Sequence, residues 1–244
     1  MHTIRHIISY FLLTPILWCF TLNANAQSYF FRHYQVENGL SNNTVFSSVQ
    51  DKLGFLWFGT KDGINRFDGY HFKHFNINDD GHNMTPDIIS SLLVTDDDRL
   101  LIGCQKGLYT FDREKEKLVP IIDSLKWINY MSIDKNGDLW FISAVMLCRY
   151  NFKTNKLLRF PQGKYFPATT ICNADDGAVW AATTDGFLQR FDSIKQNFTK
   201  FDLFSHSGPA TSNWIQTIHS AGNNQLFVGT SSQGLKKFDI ATAT

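Results

Sequence analysis

Four aspartates (Asp51, Asp96, Asp134 and Asp176), six histidines beyond the N-terminal segment (His33, His71, His74, His82, His206 and His219), three cysteines (Cys104, Cys148 and Cys172) and a recurring tryptophan (Trp57, Trp140 and Trp180) are the residues best equipped for chemistry. Converging carboxylates, or a carboxylate with a histidine, would supply the acid and base of a lyase or glycosidase. Cysteines or histidines at CxxC-like spacing would hold zinc. The spacing supports neither. The aspartates stand at turns of the Asp-x-x-Gly kind, as at Asp51 to Gly54 and Asp134 to Gly137, where a short carboxylate caps its own backbone and Gly accepts positive φ. The histidines scatter without a metal-like cluster. The odd set of cysteines gives neither a disulfide framework nor a zinc pattern, so each reads as a small apolar strand residue.

The tryptophans invite a sugar-stacking reading, but their register favours core packing. The segment from Asp51 through Trp57-Phe58-Gly59-Thr60 and Gly63-Ile64-Asn65-Arg66 to Phe67-Asp68 recurs four more times in degraded form, anchored at Leu101, Trp140, Trp180 and Phe227. The anchors are separated by 44, 39, 40 and 47 residues, the period of four-stranded propeller blades. Each unit reads as an inner strand a such as 45–50 or 88–93, a strand b on the anchor, a strand c ending in Phe-Asp, and an exposed strand d such as 72–75. Two departures stand out: Leu101 replaces the aromatic anchor in unit two, and Met146 replaces the turn glycine in unit three. The expected fold is all-β, a propeller of four-stranded antiparallel blades with five repeats present and negligible helix. Such sheets are apolar on both faces and must stack blade on blade.

At the N-terminus, His2, Arg5 and His6 precede an apolar run over 7–22, and Ala24-Asn25-Ala26 offers a cleavage site. Residues 1–26 therefore read as a secretory signal peptide, leaving 27–244 as the propeller. Of the 23 Lys+Arg, Arg5 leaves with that segment, so the mature chain balances 22 against 22 Asp+Glu. A neutral chain lacks the basic footprint for gripping nucleic acid or an anionic membrane. Phe31-Arg32-His33-Tyr34 matches the d strands, so a closing strand is expected at about 29–35. The fifth unit stops before its own strand d. Either the N-terminal strand completes a five-bladed ring, or the ring is an open part of a longer protein; the second is preferred.

The run Gly39-Leu40-Ser41-Asn42-Asn43-Thr44-Val45, followed by Gln50-Asp51, Gly54-Phe55-Leu56-Trp57-Phe58-Gly59-Thr60 and Gly63 to Gly69, resembles the two-component regulator propeller repeat. The resemblance implies the periplasmic sensor region of a hybrid two-component histidine kinase, an open part of a roughly seven-bladed ring, responding to oligosaccharides or polysaccharide fragments and regulating the genes for their use. It also implies kinase and regulatory domains outside these 244 residues, since no phospho-acceptor His with an ATP-binding Gly-rich partner occurs here. The alternatives are a secreted protein-binding scaffold or a secreted propeller lyase or glycosidase. No catalytic residue, metal or cofactor is expected. The expected partners are an oligosaccharide, the downstream domains of the same protein and a second copy in a homodimer, with no nucleic acid and a membrane met only through missing C-terminal sequence. Ligand contacts are expected on the d-to-a connections at 76–87, 120–126, 161–168 and 202–213. Trp127, Tyr165 and Trp214 are the stacking candidates there, and His82, Lys126 and Lys164 the polar ones.

Overall fold

The computed structural model describes residues 30–77, 88–160, 167–205 and 211–243. The signal-peptide residues lie outside them. The chain divides into two units, 1–34 and 35–244. In the first, the Arg32 guanidinium lies over the Tyr34 ring, 4.9 Å from its centroid. The closing strand expected at 29–35 is not formed: residues 30–35 belong to no sheet, and a strand exists only through its ladder.

Among its described residues the second unit is all-β apart from one 3-10 turn at Val36–Asn38. Its strands form five antiparallel sheets in chain order. Blade 1 comprises β1 (Val45–Gln50), β2 (Leu56–Thr60), β3 (Ile64–Phe67) and β4 (Phe72–Phe75). Blade 2 comprises β5 (Ile89–Val94), β6 (Leu100–Cys104), β7 (Gly107–Asp112) and β8 (Lys117–Ile122). Blade 3 comprises β9 (Ile128–Ile133), β10 (Leu139–Ser143), β11 (Met146–Asn151) and β12 (Lys156–Phe160). Blade 4 comprises β13 (Ala168–Asn173), β14 (Val179–Thr183), β15 (Phe187–Asp192) and β16 (Asn197–Asp202). Blade 5 has three strands, β17 (Ile215–Gly222), β18 (Gln225–Thr230) and β19 (Leu235–Asp239). Pro120, expected in a loop, lies within β8 opposite Tyr109, an outer strand where a missing N–H is tolerated.

Four of the five anchors bind blade to blade. Trp57, Leu101, Trp140 and Trp180 are fully buried. Trp57 packs with Ile89, Leu92, Ile102 and Phe111 of blade 2, Leu101 with Ile128 and Phe141 of blade 3, Trp140 with Ala168 and Phe191 of blade 4, and Trp180 with Ile215, Val228 and Phe238 of blade 5. The Trp57 and Trp140 indole N–H groups donate to Asp51 at 2.8 Å and Asp134 at 2.9 Å, six residues upstream. Asp96 and Asp176, grouped with them from sequence, occupy other turn positions: Thr95 and Ala174 stand six residues before Leu101 and Trp180.

The Phe-Asp pair is a turn device. Asp68, Asp112, Asn151, Asp192 and Asp239 follow or end strand c in the five blades, and each side-chain oxygen accepts backbone N–H groups two and three residues onward. In unit three the b-to-c hairpin closes without glycine because Ala144 adopts φ 56°.

Candidate functional site

One backbone position recurs at the mouth of every blade. Thr44, Ile88, Trp127, Pro167 and Trp214 each directly precede strand a, and each carbonyl accepts the N–H of the first b-to-c turn residue, at 3.0 to 3.1 Å. Trp127 is further held by donating its own N–H to the Gln105 carbonyl at 3.3 Å, so its backbone is pinned between the hairpins of blades 2 and 3. Immediately inward, β1, β5, β13 and β17 shift register at Val45/Ser47, Ile89/Ser91, Ala168/Thr170 and Ile215/Thr217, and β9 does so opposite Trp140/Ile142. A bulge re-aims a side chain out of the pleat.

Across β1, β5 and β9 these bulges border a cleft of about 650 Å³, lined by Phe46, Ser47, Ile88, Ser90, Ser91, Leu92, Trp127, Asn129, Tyr130 and Met131. Trp127, Tyr130 and Phe46 are 42%, 47% and 51% exposed. Ser90 and Ser91 donate their hydroxyls to the Ile128 carbonyl at 2.6 and 3.0 Å. The Ser47 hydroxyl accepts the Leu92 N–H at 3.1 Å. Among the described residues the lining contains no Asp, Glu, His, Lys or Arg.

Of the six residues singled out in the sequence, the cleft gathers Trp127 alone. Lys126 is the exposed neighbour of Trp127 but does not line the cleft, and Trp214 holds the equivalent position in blade 5. His82, Lys164 and Tyr165 lie outside the described residues. Sequence reasoning placed contacts on loops and passed over Phe46, Asn129 and Tyr130 because they sit in strands.

A smaller cavity, about 260 Å³, lies at the a-to-b turns of blades 3 and 4. Two of its charges engage each other: Arg190 bonds Asp176 at 2.6 Å. Burial raises the Asp176 pKa, but the Ala178 N–H and Arg190 overcome it and hold the carboxyl below its ordinary value. Burial pushes the Cys148 and Cys172 thiols up to about 12, which suppresses the nucleophilic thiolate. Cys104 works as a hairpin residue, its sulfur donating to the Gly107 carbonyl and accepting the Lys106 N–H, both at 3.3 Å. Among the described residues no group of His, Cys, Asp or Glu is placed to hold a metal ion, and no helix is long and apolar enough to cross a membrane.

Stacked four-stranded sheets with a cleft on their inner strands define a β-propeller. Comparison with known proteins adds a family likeness: residues 39–62, which hold β1 and β2, match the two component regulator propeller. Over 58 residues the chain is 41% identical to Histidine kinase P4 of Formosa agariphila, a stretch covering 24% of this chain and 4% of the kinase. The crystallised extracellular domain of a protein described as a hybrid two component system of B. thetaiotaomicron superimposes with a TM-score of 0.73 at 24% identity, over 89% of this chain and 31% of that one. Virginiamycin B lyase of Staphylococcus aureus superimposes at 0.57 and 15% identity, over 80% of this chain and 70% of the lyase. Both superpositions speak to fold alone. The chain spans well under half the length of the kinase and of the two component relative.

Proposed function

We propose that this chain is the exported, ligand-sensing propeller region of a longer hybrid two-component signalling protein. The observation that carries the reading is the match of residues 39–62 to the regulator propeller together with the 41% identity to a histidine kinase. In this reading residues 1–26 direct export to the periplasm, the blades bind an oligosaccharide or polysaccharide fragment, and the bound state is relayed through downstream domains to the genes for its use. The neutral charge balance fits a region that meets neither DNA nor lipid directly.

The coding sequence beyond Thr244 tests the reading. Further repeats, a membrane helix and a kinase with its phospho-acceptor histidine are the expected outcome. A stop codon at that point in the native gene would overturn it.

A further inference from the structure

We infer that the cleft across β1, β5 and β9 is a saccharide subsite for an uncharged pyranose ring, stacked on Trp127 and Tyr130 and hydrogen-bonded by Asn129. The inference rests on the sensing reading above and adds the site and the charge class of its ligand.

The recurring tryptophans Trp57, Trp140 and Trp180 serve to join blades, as their full burial shows. Trp127, Tyr130 and Phe46 do not: they stand exposed around one cavity while the core is complete without them. Two of the three are also held in an unfavourable backbone conformation, with φ of 56° at Trp127 and 48° at Tyr130. Positive φ is uncommon for bulky residues, and such strain persists only where surrounding structure imposes it. Trp127 is so imposed, by its bonds to the hairpins of blades 2 and 3. At the same position blades 1, 2, 4 and 5 carry Thr44, Ile88, Pro167 and Trp214, none of them at positive φ, so the strain is particular to Trp127.

The polar lining specifies the ligand further. The Asn129 amide, on the same lining, has no hydrogen-bond partner among the described residues, so a donor and an acceptor are free. The hydroxyls of Ser90 and Ser91 have committed their protons to the Ile128 carbonyl and keep oxygen lone pairs for ligand O–H groups. A pyranose matches both features, with an apolar C–H face for the rings and hydroxyls at its rim. A carboxylate or sulfate does not match, because it would lose water with no Lys, Arg or His among the described lining residues to compensate. The volume of about 650 Å³ lies within the range of small-ligand sites.

The test is titration calorimetry of the 244-residue chain with neutral hexasaccharides (cellohexaose, xylohexaose and mannohexaose) and anionic ones (hexagalacturonate and a heparin-derived hexasaccharide). Saturable binding of at least one neutral member and none of the anionic ones is expected. Trp127→Ala should weaken that binding at least about tenfold and Asn129→Ala should weaken it about threefold or more. Tyr70→Ala, at an exposed aromatic on the c-to-d turn of blade 1, should leave it unchanged. Because Trp127 is exposed, its variant is expected to keep the parent's melting temperature, and Asn129→Ala gives an independent readout. Binding unaffected by both cleft variants overturns the site, and Trp127-dependent binding of an anionic member overturns the charge class. Failure of every neutral member overturns the inference, while the signalling reading is decided separately by the sequence beyond Thr244.

Discussion

Trp180 differs from its counterparts by one missing acceptor. Its indole N–H is buried with no partner among the described residues, because Ala174 stands where Asp51 and Asp134 receive the other two indoles. A buried donor left unpaired costs about 1–3 kcal/mol. Ala174→Asp should therefore stabilise the chain by about 1 kcal/mol once the cost of burying the carboxylate is offset by the indole and turn N–H groups. Asp134→Ala should destabilise it by about 1–3 kcal/mol, both read by urea unfolding. A loss on Ala174→Asp would mean that blade 4 cannot seat the carboxylate. The sequence revealed that the aspartates make turns, yet the indole bond emerges only when positions are counted back from the tryptophan. Counted that way, Asp96 and Asp176 separate from Asp51 and Asp134.

At the scale of elements, the c-to-d turns and the blade interfaces each follow a rule that admits a test. The carboxyls of Asp68, Asp112, Asp192 and Asp239 are held below the usual aspartate value, chiefly by the backbone N–H groups they accept. A lowered folded pKa means the turn's contribution is complete above the unfolded value of about 4 and is lost as pH falls through the folded value. Asn151 performs the same bonding without a charge. The triple variant Asp112→Asn, Asp192→Asn, Asp239→Asn should therefore fold at pH 7 and lose less melting temperature than the parent between about pH 5 and 3. An unchanged acid slope would place the titrating groups elsewhere.

Between blades, strand b and the next strand a share one volume. A Cβ on Gly59 would lie 2.7 Å from Ile89 Cγ2, and one on Gly103 would lie 2.6 Å from the Ile128 carbonyl oxygen. At the same positions, Ile142 meets Ala168 and Ala182 meets Ile215. Large faces small across each interface, as close packing requires. Gly59→Ala should cost about 1–3 kcal/mol by overpacking, and appreciably less in an Ile89→Ala background. A double-mutant cycle with no coupling would contradict the contact. This rule was written in the sequence but could be read only after the anchors supplied the blade-to-blade alignment.

For the whole molecule, the anchor spacing made the stacking of blades legible, whereas the cleft was not. It is assembled from bulge residues of three strands about forty residues apart, and a bulge leaves no mark in a hydrophobic pattern. Where the stack stops, the same comparison exposes two unfinished faces. Phe227, the fifth anchor, is 41% exposed, although the other four are fully buried. On blade 1, Val45 and Leu56 are exposed, while their counterparts Ile89, Ile128, Ala168 and Ile215, and Leu100, Leu139, Val179 and Leu226, are all buried. One face presents an anchor without a receiving sheet, and the other is a receiving sheet without an anchor. Truncating a half-exposed phenylalanine forfeits less than emptying a packed core site, so Phe227→Ala should cost this chain about 1 kcal/mol and Trp180→Ala about 3–5 kcal/mol. In a protein extended past Thr244 by its next repeat, the Phe227→Ala cost should rise to about 3 kcal/mol, because the new sheet would bury the ring as blade 5 buries Trp180. Equal costs in the short and extended proteins, measured by urea unfolding, would show that Phe227 never joins an interface.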